Sequence, residues 1–255
     1  MSTGAALEKK YSAPWTDHTA GRWFYAAMAA AAVLITLGSF TPSIAYPKHR
    51  LGGYTWLTVT HGILFATWLV VFLVQTLLVR GRKISLHRTL GTASLFLAAA
   101  MIVFGYMAQI VMTRRGFDFS GDLGVKNYPI GPLGQMLFPL LDILEFGILV
   151  AAGYFYRRNI AAHKRLMLFA TAAILPGSFA HIVGHYAVLR AHPNSIIPMV
   201  ALSLAASAIY DLLRFHRIHP VSFWIGGGMF GIDTLCNNII GPSAAWHRFA
   251  AWLIR

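Results

Sequence analysis

Seven stretches of the sequence are each about 20 residues long and nearly free of charged side chains. The hydrocarbon core of a bilayer is about 30 Å thick and an α-helix rises about 1.5 Å per residue, so each stretch is long enough to cross a membrane. The sequence therefore predicts an all-α, polytopic membrane bundle with about seven transmembrane helices in one domain, residues 1–255. The predicted spans are 22–40, 54–79, 88–112, 135–156, 165–187, 196–214 and 221–241.

The composition indicates that lipid is the main solvent of this chain. Apolar residues make up 57 % of the 255 residues and charged residues 11 %, and the mean hydropathy is +0.60. A soluble domain carries about 25 % charged residues because its surface must be hydrated. The single cysteine, Cys236, excludes an intrachain disulfide and any cysteine-based zinc or iron–sulfur site.

The basic residues predict the orientation in the membrane. The formal net charge is +13, but Lys and Arg lie in short clusters between apolar stretches. This pattern is typical of loops that face anionic lipid headgroups, and it argues against a nucleic-acid partner. With the N-terminus inside and the C-terminus outside, 13 of the 21 Lys and Arg residues lie in inner segments. They are Lys9, Lys10, Arg22, Arg80, Arg82, Lys83, Arg88, Arg157, Arg158, Lys164, Arg165, Arg214 and Arg217.

Two further patterns concern helix packing and the C-terminus. Residues 243–254 place Trp246, Phe249 and Trp252 mostly on one side, which predicts a short interfacial helix after the last span. Two sets of residues recur at seven-residue steps, and the small-residue set predicts close helix packing. The sets are His61, Trp68 and Gln75 in the second span, and Gly91, Ala98 and Gly105 in the third.

Four of the eight acidic residues fall inside predicted spans, where an ionisable side chain is costly and indicates function by default. Asp211 lies near the cytosolic edge beside Arg214, and we expect these two to form a surface ion pair. The other three are Asp142, Glu145 and Asp233.

A layer of polar side chains is predicted about 10 Å below the outer surface, from the position of each residue within its span. Histidine and carboxylate at one depth favour a divalent transition-metal site or a proton-handling site, and His-x3-His is a common ligand spacing. The alternative is a hydrogen-bond network that joins helices. We expect the side chains to converge beneath an outer loop such as 113–134. The candidate metal ligands are His61, Asp142, Glu145, His181 and His185.

A weak internal repeat links spans two and three to spans four and five. Arg82-x4-His87-Arg88 and Arg158-x4-His163-Lys164-Arg165 each connect an inward-running helix to an outward-running one. The two pairs of spans are then related by an axis along the membrane normal. We expect the two histidines to face each other across spans three and five.

Several of these motifs resemble those of a known family. His61-Gly-Ile-Leu-Phe-Ala-Thr-Trp68, followed by Arg80 and by His87-Arg-Thr-Leu-Gly91, resembles the ascorbate-reducing, b-type diheme cytochromes with a four-helix core. His163-Lys-Arg-Leu166 is similar to the start of the fourth core helix of that family. It is also similar to a His-Lys-Arg-Leu-Met element of uncharacterised bacterial membrane proteins. The resemblance covers spans two to five.

The resemblance implies electron transfer by heme b. His87 and His163 would be the axial ligands of an inner heme, and His61 one ligand of an outer heme. The family's remaining histidine belongs to the fourth span, which here carries acidic residues instead. His181 on the fifth span could take its place.

Three functions follow from these observations, and whether the protein is an enzyme stays open. The first is a membrane redox protein with heme b. The second is a metalloprotein or metalloenzyme whose site is the outer layer. The third is a non-catalytic subunit of a membrane complex, with other membrane proteins as partners. We expect the chain in the cytoplasmic (inner) membrane of a bacterium.

Overall fold

The computed structural model describes residues 20–46, 51–118, 121, 123–124 and 130–255. Within these ranges the chain forms helices and no β-strand. Lys9 and Lys10, which the topology prediction counts, lie outside the described residues. The helices are α1 (Ala20–Ala45), α2 (Trp56–Arg80), α3 (Ile84–Arg115), α4 (Gly131–Gln135), α5 (Leu137–Phe155), α6 (Ile160–Ala173), α7 (Pro176–His185), α8 (Ala187–Arg190), α9 (Ile196–Phe215), α10 (Pro220–Leu235) and α11 (Ala244–Leu253).

Six segments of the described chain are long and apolar enough to cross a membrane. They correspond to the first six predicted spans, and their surfaces expose large apolar side chains such as Phe96, which is 81 % exposed. A surface of this kind suits contact with lipid. The segments are Trp23–Ala45, Trp56–Arg80, Ile84–Arg115, Gly131–Arg158, Ile160–His185 and Ile196–Phe215.

The seventh predicted span differs from the other six. Its helix, α10, has 16 residues and continues directly into a π-helix, Cys236–Ile240. The seventh crossing therefore stays a prediction. The predicted C-terminal helix is present as α11, which begins where the Ser243 hydroxyl accepts a hydrogen bond from the Trp246 backbone N–H.

The fifth span is two helices rather than the continuous helix predicted over 165–187. Pro176 has no backbone N–H to donate, and the chain turns through tight bonds from Ile174 to Thr171 and from Leu175 to Ala172. The first half, α6, begins at Ile160. Its start lies five residues before the predicted boundary, so the basic cluster after His163 is helical.

The centre of the bundle is built on the inward face of α2. Trp68 is buried and meets the ring of Phe146 edge-on at 4.7 Å between centroids. Its indole N–H donates to the Thr171 hydroxyl at 3.3 Å. Helices α2, α5 and α6 therefore meet at this residue.

The small-residue strip on α3 packs against neighbouring helices, as predicted. A Cβ atom on Gly105 would lie 2.8 Å from the side chain of Ile143, and one on Gly91 would lie 3.3 Å from Nε2 of Gln75. Between them, Ala98 is buried. Glycine lets α3 approach α5 at one end and α2 at the other.

The two halves of the repeat form similar hairpins. Helix α2 packs against α3, and α5 packs against α6. His87 is the fourth residue of α3 and His163 is the fourth residue of α6. The two histidines of the repeat therefore occupy equivalent positions in the first turn of α3 and α6.

Candidate functional sites

The two repeat histidines lie side by side. The ring centroids of His87 and His163 are 6.3 Å apart and the ring planes are nearly perpendicular, at 81°. Both residues are half-buried. The expected juxtaposition across spans three and five is present, and the role of the pair as heme ligands stays a prediction.

Hydrogen bonding fixes the tautomer of one ring in this pair. Nδ1–H of His163 donates to the backbone carbonyl of Gly153 at 2.8 Å. The lone pair of that imidazole then lies on Nε2 when the ring is neutral. A carbonyl in this position also orients the ring, as it does for histidines that bind metals.

Gln75 on α2 completes the surroundings of the pair. The ring of His87 lies near the backbone of Gln75, and the Gln75 amide nitrogen faces Gly91. Within the part of the chain that the structure describes, Oε1 of Gln75 and Nδ1 of His87 are buried without a hydrogen-bond partner. Helices α2, α3, α5 and α6 thus each place a polar group around the His87–His163 pair. Gln75 is absent from the candidate ligands that the sequence predicts.

A buried ion pair joins α6 to α9. The guanidinium of Arg165 contacts both carboxylate oxygens of Asp211, and both side chains are 0 % exposed. The expected surface pair of Asp211 with Arg214 is therefore wrong. Arg165, which the topology prediction counts among the basic residues of the inner segments, lies inside the bundle because α6 begins earlier than predicted.

The pair is part of a larger polar network. Ser222 donates to Oδ2 of Asp211 at 2.5 Å and shares a hydrogen bond with Ser207. The backbone N–H of His219 donates to the same carboxylate oxygen at 3.2 Å. This network satisfies the carboxylate from α6, α10 and the turn before α10, which is the condition for a stable buried ion pair.

His219 caps α10 with its side chain. Its Nδ1 accepts a hydrogen bond from the backbone N–H of Val221 at 3.1 Å, which requires a neutral ring. Burial, and then the nearby positive charge of Arg165, lowers the pKa of His219 to about 4. The ring is therefore an acceptor at neutral pH.

At the opposite end of α6–α7, His181 pairs with Asp118. The distance from Nε2 to Oδ2 is 3.2 Å, and both side chains are buried. The ring of Phe40 lies against His181, at 4.2 Å between centroids. Asp118 is not among the candidate site residues that the sequence predicts, although it lies inside the predicted outer loop 113–134. Parts of that loop lie outside the described residues.

The other two histidines of the predicted outer layer, His61 and His185, contact different neighbouring residues. His185 shares a hydrogen bond with Ser43 at 3.3 Å, and its ring lies 5.8 Å from that of His181. His61 stacks on Phe65, one turn along α2, at 4.1 Å between centroids.

The three remaining acidic residues of the predicted spans come from two helices. Asp142 and Glu145 lie three residues apart on α5, and Asp233 lies on α10, three residues before Cys236. Within the described ranges, no set of three or more His, Cys, Asp or Glu side chains is arranged to hold a metal ion. The predicted metal ligands therefore stay a prediction.

No protein-family model, curated protein or solved structure matches this chain. Over the described residues, the fold defines the class, an all-helical protein with six segments that are long and apolar enough to cross a membrane. The polar sites inside the bundle are therefore the observations that bear on its function.

Proposed function

We propose that this protein is an integral membrane electron-transfer protein that binds heme b between His87 and His163. The observation that supports it is the 6.3 Å separation of the two ring centroids. A metal–imidazole bond is about 2 Å long and each nitrogen lies about 1 Å from its ring centre. Two imidazoles on opposite sides of one metal ion therefore have centroids about 6 Å apart.

The surroundings of the pair suit this role. Bound heme would supply one-electron transfer at the end of the bundle where the two hairpins turn. His163 is oriented by the Gly153 carbonyl, which leaves Nε2 as its available lone pair. Gly91, one turn after His87 on α3, lies close to Gln75, since a Cβ atom at this position would be 3.3 Å from Nε2 of that side chain. Neutral imidazoles from two helices meet the chemical requirement for axial ligands.

The test is heme content and absorption. We expect the purified protein, expressed with heme available or mixed with hemin, to show the reduced spectrum of a bis-histidine b-type cytochrome. His87→Ala and His163→Ala should each abolish that spectrum, because each removes one axial ligand. The matched control is His192→Ala, since His192 is exposed. Heme content is measured by the pyridine hemochromogen assay.

A misfolded variant is distinguished from loss of a ligand by chemical rescue. His87→Gly leaves a gap that free imidazole can enter, so added imidazole should restore the low-spin spectrum. A wild-type protein that takes up no heme contradicts the proposal. So does a spectrum that survives the loss of both histidines.

We further propose seven spans with the N-terminus inside and the C-terminus outside, in the cytoplasmic membrane of a bacterium. The support is the basic character of the turns after α2 and α5, which contain Arg82, Lys83, Arg157 and Arg158. In a Cys236→Ser background, Arg82→Cys and Arg158→Cys should react with a membrane-impermeant thiol reagent only after the cells are opened. Gly53→Cys, in an exposed turn at the other end, should react in intact cells. The reverse pattern contradicts this orientation.

A further inference from the structure

Helix α11 is attached to the rest of the bundle at both of its ends. Near its start, the indole N–H of Trp246 donates a hydrogen bond to the backbone carbonyl of Leu133 at 2.7 Å. Just after its end, the backbone carbonyl of Ile254 accepts a hydrogen bond from Nε of Arg114 at 2.6 Å. These two contacts fix the position of α11 on the bundle, and they also fix which of its faces points outward.

The same two contacts set the direction of α11 relative to the membrane. Arg114 is the penultimate residue of the third membrane-length segment and Leu133 is the third residue of the fourth, so both lie at the same end of the bundle. Eight residues, from Trp246 to Ile254, span about 12 Å of helix, slightly more than the roughly 8–10 Å between the axes of packed helices. Helix α11 therefore lies across the ends of two neighbouring helices, along the membrane surface.

The outward face of α11 carries aromatic and basic side chains. Ala250 is buried on the inward face, whereas Arg248, Phe249 and Trp252 are exposed. The rings of Phe249 and Trp252 lie 5.8 Å apart and form one apolar surface. Arg248 lies one turn before Trp252 on the same face, and residues 241–255 contain no Asp or Glu.

The charge of this face favours an anionic occupant. Within the part of the chain that the structure describes, the ion pairs are those of Arg165 and His181, so no carboxylate neutralises Arg248. Arg114, exposed at the far end of α11, adds a second positive charge. A guanidinium at the membrane surface binds phosphate oxygens, and aromatic rings at that depth contact the upper part of the acyl chains.

We propose that α11 lies in the plane of the membrane interface and that Arg248, Phe249 and Trp252 bind an anionic phospholipid. Arg248 binds the phosphate group, and the two rings pack against the start of an acyl chain. This lipid site requires that the third and fourth segments cross the membrane. It does not depend on the proposed heme, so either proposal can fail alone.

The first experiment measures the depth of α11 in lipid nanodiscs. In a Cys236→Ser background, nitroxide labels at Ala245→Cys and Trp252→Cys, both on the exposed face, should lie at the same depth by power saturation with oxygen and a nickel chelate. The two positions are seven residues apart, so a helix along the membrane normal would separate the labels by about 10 Å in depth. A separation of that size contradicts the in-plane arrangement.

The second experiment identifies the lipid. The photoreactive residue p-benzoylphenylalanine replaces Ala245, which is exposed one turn before Arg248, and attaches to neighbouring C–H bonds on irradiation. The nanodiscs contain phosphatidylcholine and about one fifth phosphatidylglycerol. Among the lipids attached to the protein, mass spectrometry should find phosphatidylglycerol enriched about threefold or more over its share, because one basic residue near the surface has an effect of this order.

Two variants and a control assign the enrichment to Arg248. Arg248→Gln should abolish it, and Arg248→Lys, which keeps the charge, should retain most of it. Arg158→Gln removes the same charge from an exposed position at the opposite end of the fourth segment and should have no effect.

Three results contradict the lipid site. The first is attachment of phosphatidylglycerol only in proportion to its share, or an enrichment that Arg248→Gln does not reduce. The second is attachment to another copy of the chain, seen as a dimer on a denaturing gel, which assigns this face to protein contact. The third is an enrichment that inorganic phosphate removes at constant ionic strength, which identifies a free anion as the occupant.

Discussion

Nε2 of His181 lies 3.2 Å from Oδ2 of Asp118, and this contact fastens the chain after α3 to α7. The second oxygen of the same carboxylate accepts a hydrogen bond from the backbone N–H of Leu123 at 2.6 Å. The side chain of Leu123 in turn lies directly against Gly184. One carboxylate therefore joins Leu123, in the described part of the connection after α3, to His181 in the second half of the fifth span.

We expect Asp118→Asn to loosen this connection. An amide keeps the shape but loses the charge, so the contact with His181 weakens by about 1–2 kcal/mol. Hydrogen exchange should become faster in the peptide that contains Leu123. Asn194→Ala, at an exposed position, is the control for an unrelated polar change. Equal exchange in Asp118→Asn and the wild type would show that the carboxylate does not hold the loop.

The loss of either partner of the Arg165–Asp211 pair should destabilise the protein strongly. Removal of one partner leaves a buried charge without compensation, so Arg165→Leu or Asp211→Leu should lower the free energy of unfolding by about 3–5 kcal/mol. The double variant should recover much of this loss, because no charge is left buried. Arg214→Leu tests the pairing expected from the sequence and should cost about 1 kcal/mol or less, as for a surface pair. The measurement is chemical denaturation of each variant in detergent.

A large loss in Arg214→Leu, with little loss in Arg165→Leu, would reverse this assignment. Additive single losses in the double variant would show that the two side chains do not stabilise each other.

The free energy of unfolding should depend on the charge of His219, the residue that caps α10. Its pKa falls from about 6.5 in the unfolded chain to about 4 in the folded protein. Between these values the unfolded chain binds a proton that the folded protein does not, so stability is full above about pH 6.5 and decreases as the pH falls towards 4.

The matched variant for this prediction is His219→Asn. Asparagine is also a good N-cap residue but does not titrate in this range. The melting temperature of the wild type should therefore decrease more than that of the variant between pH 6.5 and 4.5. Parallel pH profiles would exclude His219 as the source of the effect.

Larger residues on the small-residue strip of α3 should separate the helices. Gly105→Val places its Cβ atom 2.8 Å from Ile143, so we expect a loss of about 1–3 kcal/mol from overpacking. The control is Gly62→Ala on α2, where an added Cβ meets nothing within 4 Å. Thermal unfolding of the two variants decides the prediction, which is wrong if both melt alike.

The sequence predicts the positions of the helices better than it predicts which side chains contact one another. Helix length follows from the thickness of the membrane, so six segments of the described chain that are long and apolar enough to cross it lie near their predicted positions. The break before Pro176 was missed because apolar residues continue through it. Depth along the membrane normal can be counted from the sequence, but the direction in which a side chain points around the bundle cannot.

Because the sequence gives the depth of a side chain but not its direction, it predicts some contacts between polar residues and not others. His87 and His163 occupy equivalent helical positions in a repeat, and their proximity follows from that symmetry. Arg165 and Asp211 share no such pattern, and 46 residues separate them. Arg165 also lies in a cluster of basic residues, which is typical of a loop. Asp118 was missed because only tertiary structure brings its loop to His181.

The Arg165–Asp211 pair imposes an order on the biosynthesis of the protein. The segment with Arg165 leaves the ribosome before the segment with Asp211, so during that interval its positive charge lacks the carboxylate that neutralises it in the folded protein. An arginine without a counter-charge raises the free energy of insertion by about 2.5–3.5 kcal/mol near the middle of a helix. Helix α6 should therefore stay beside the translocon, or at the wet edge of the bilayer, until α9 arrives, and the two should enter the lipid together.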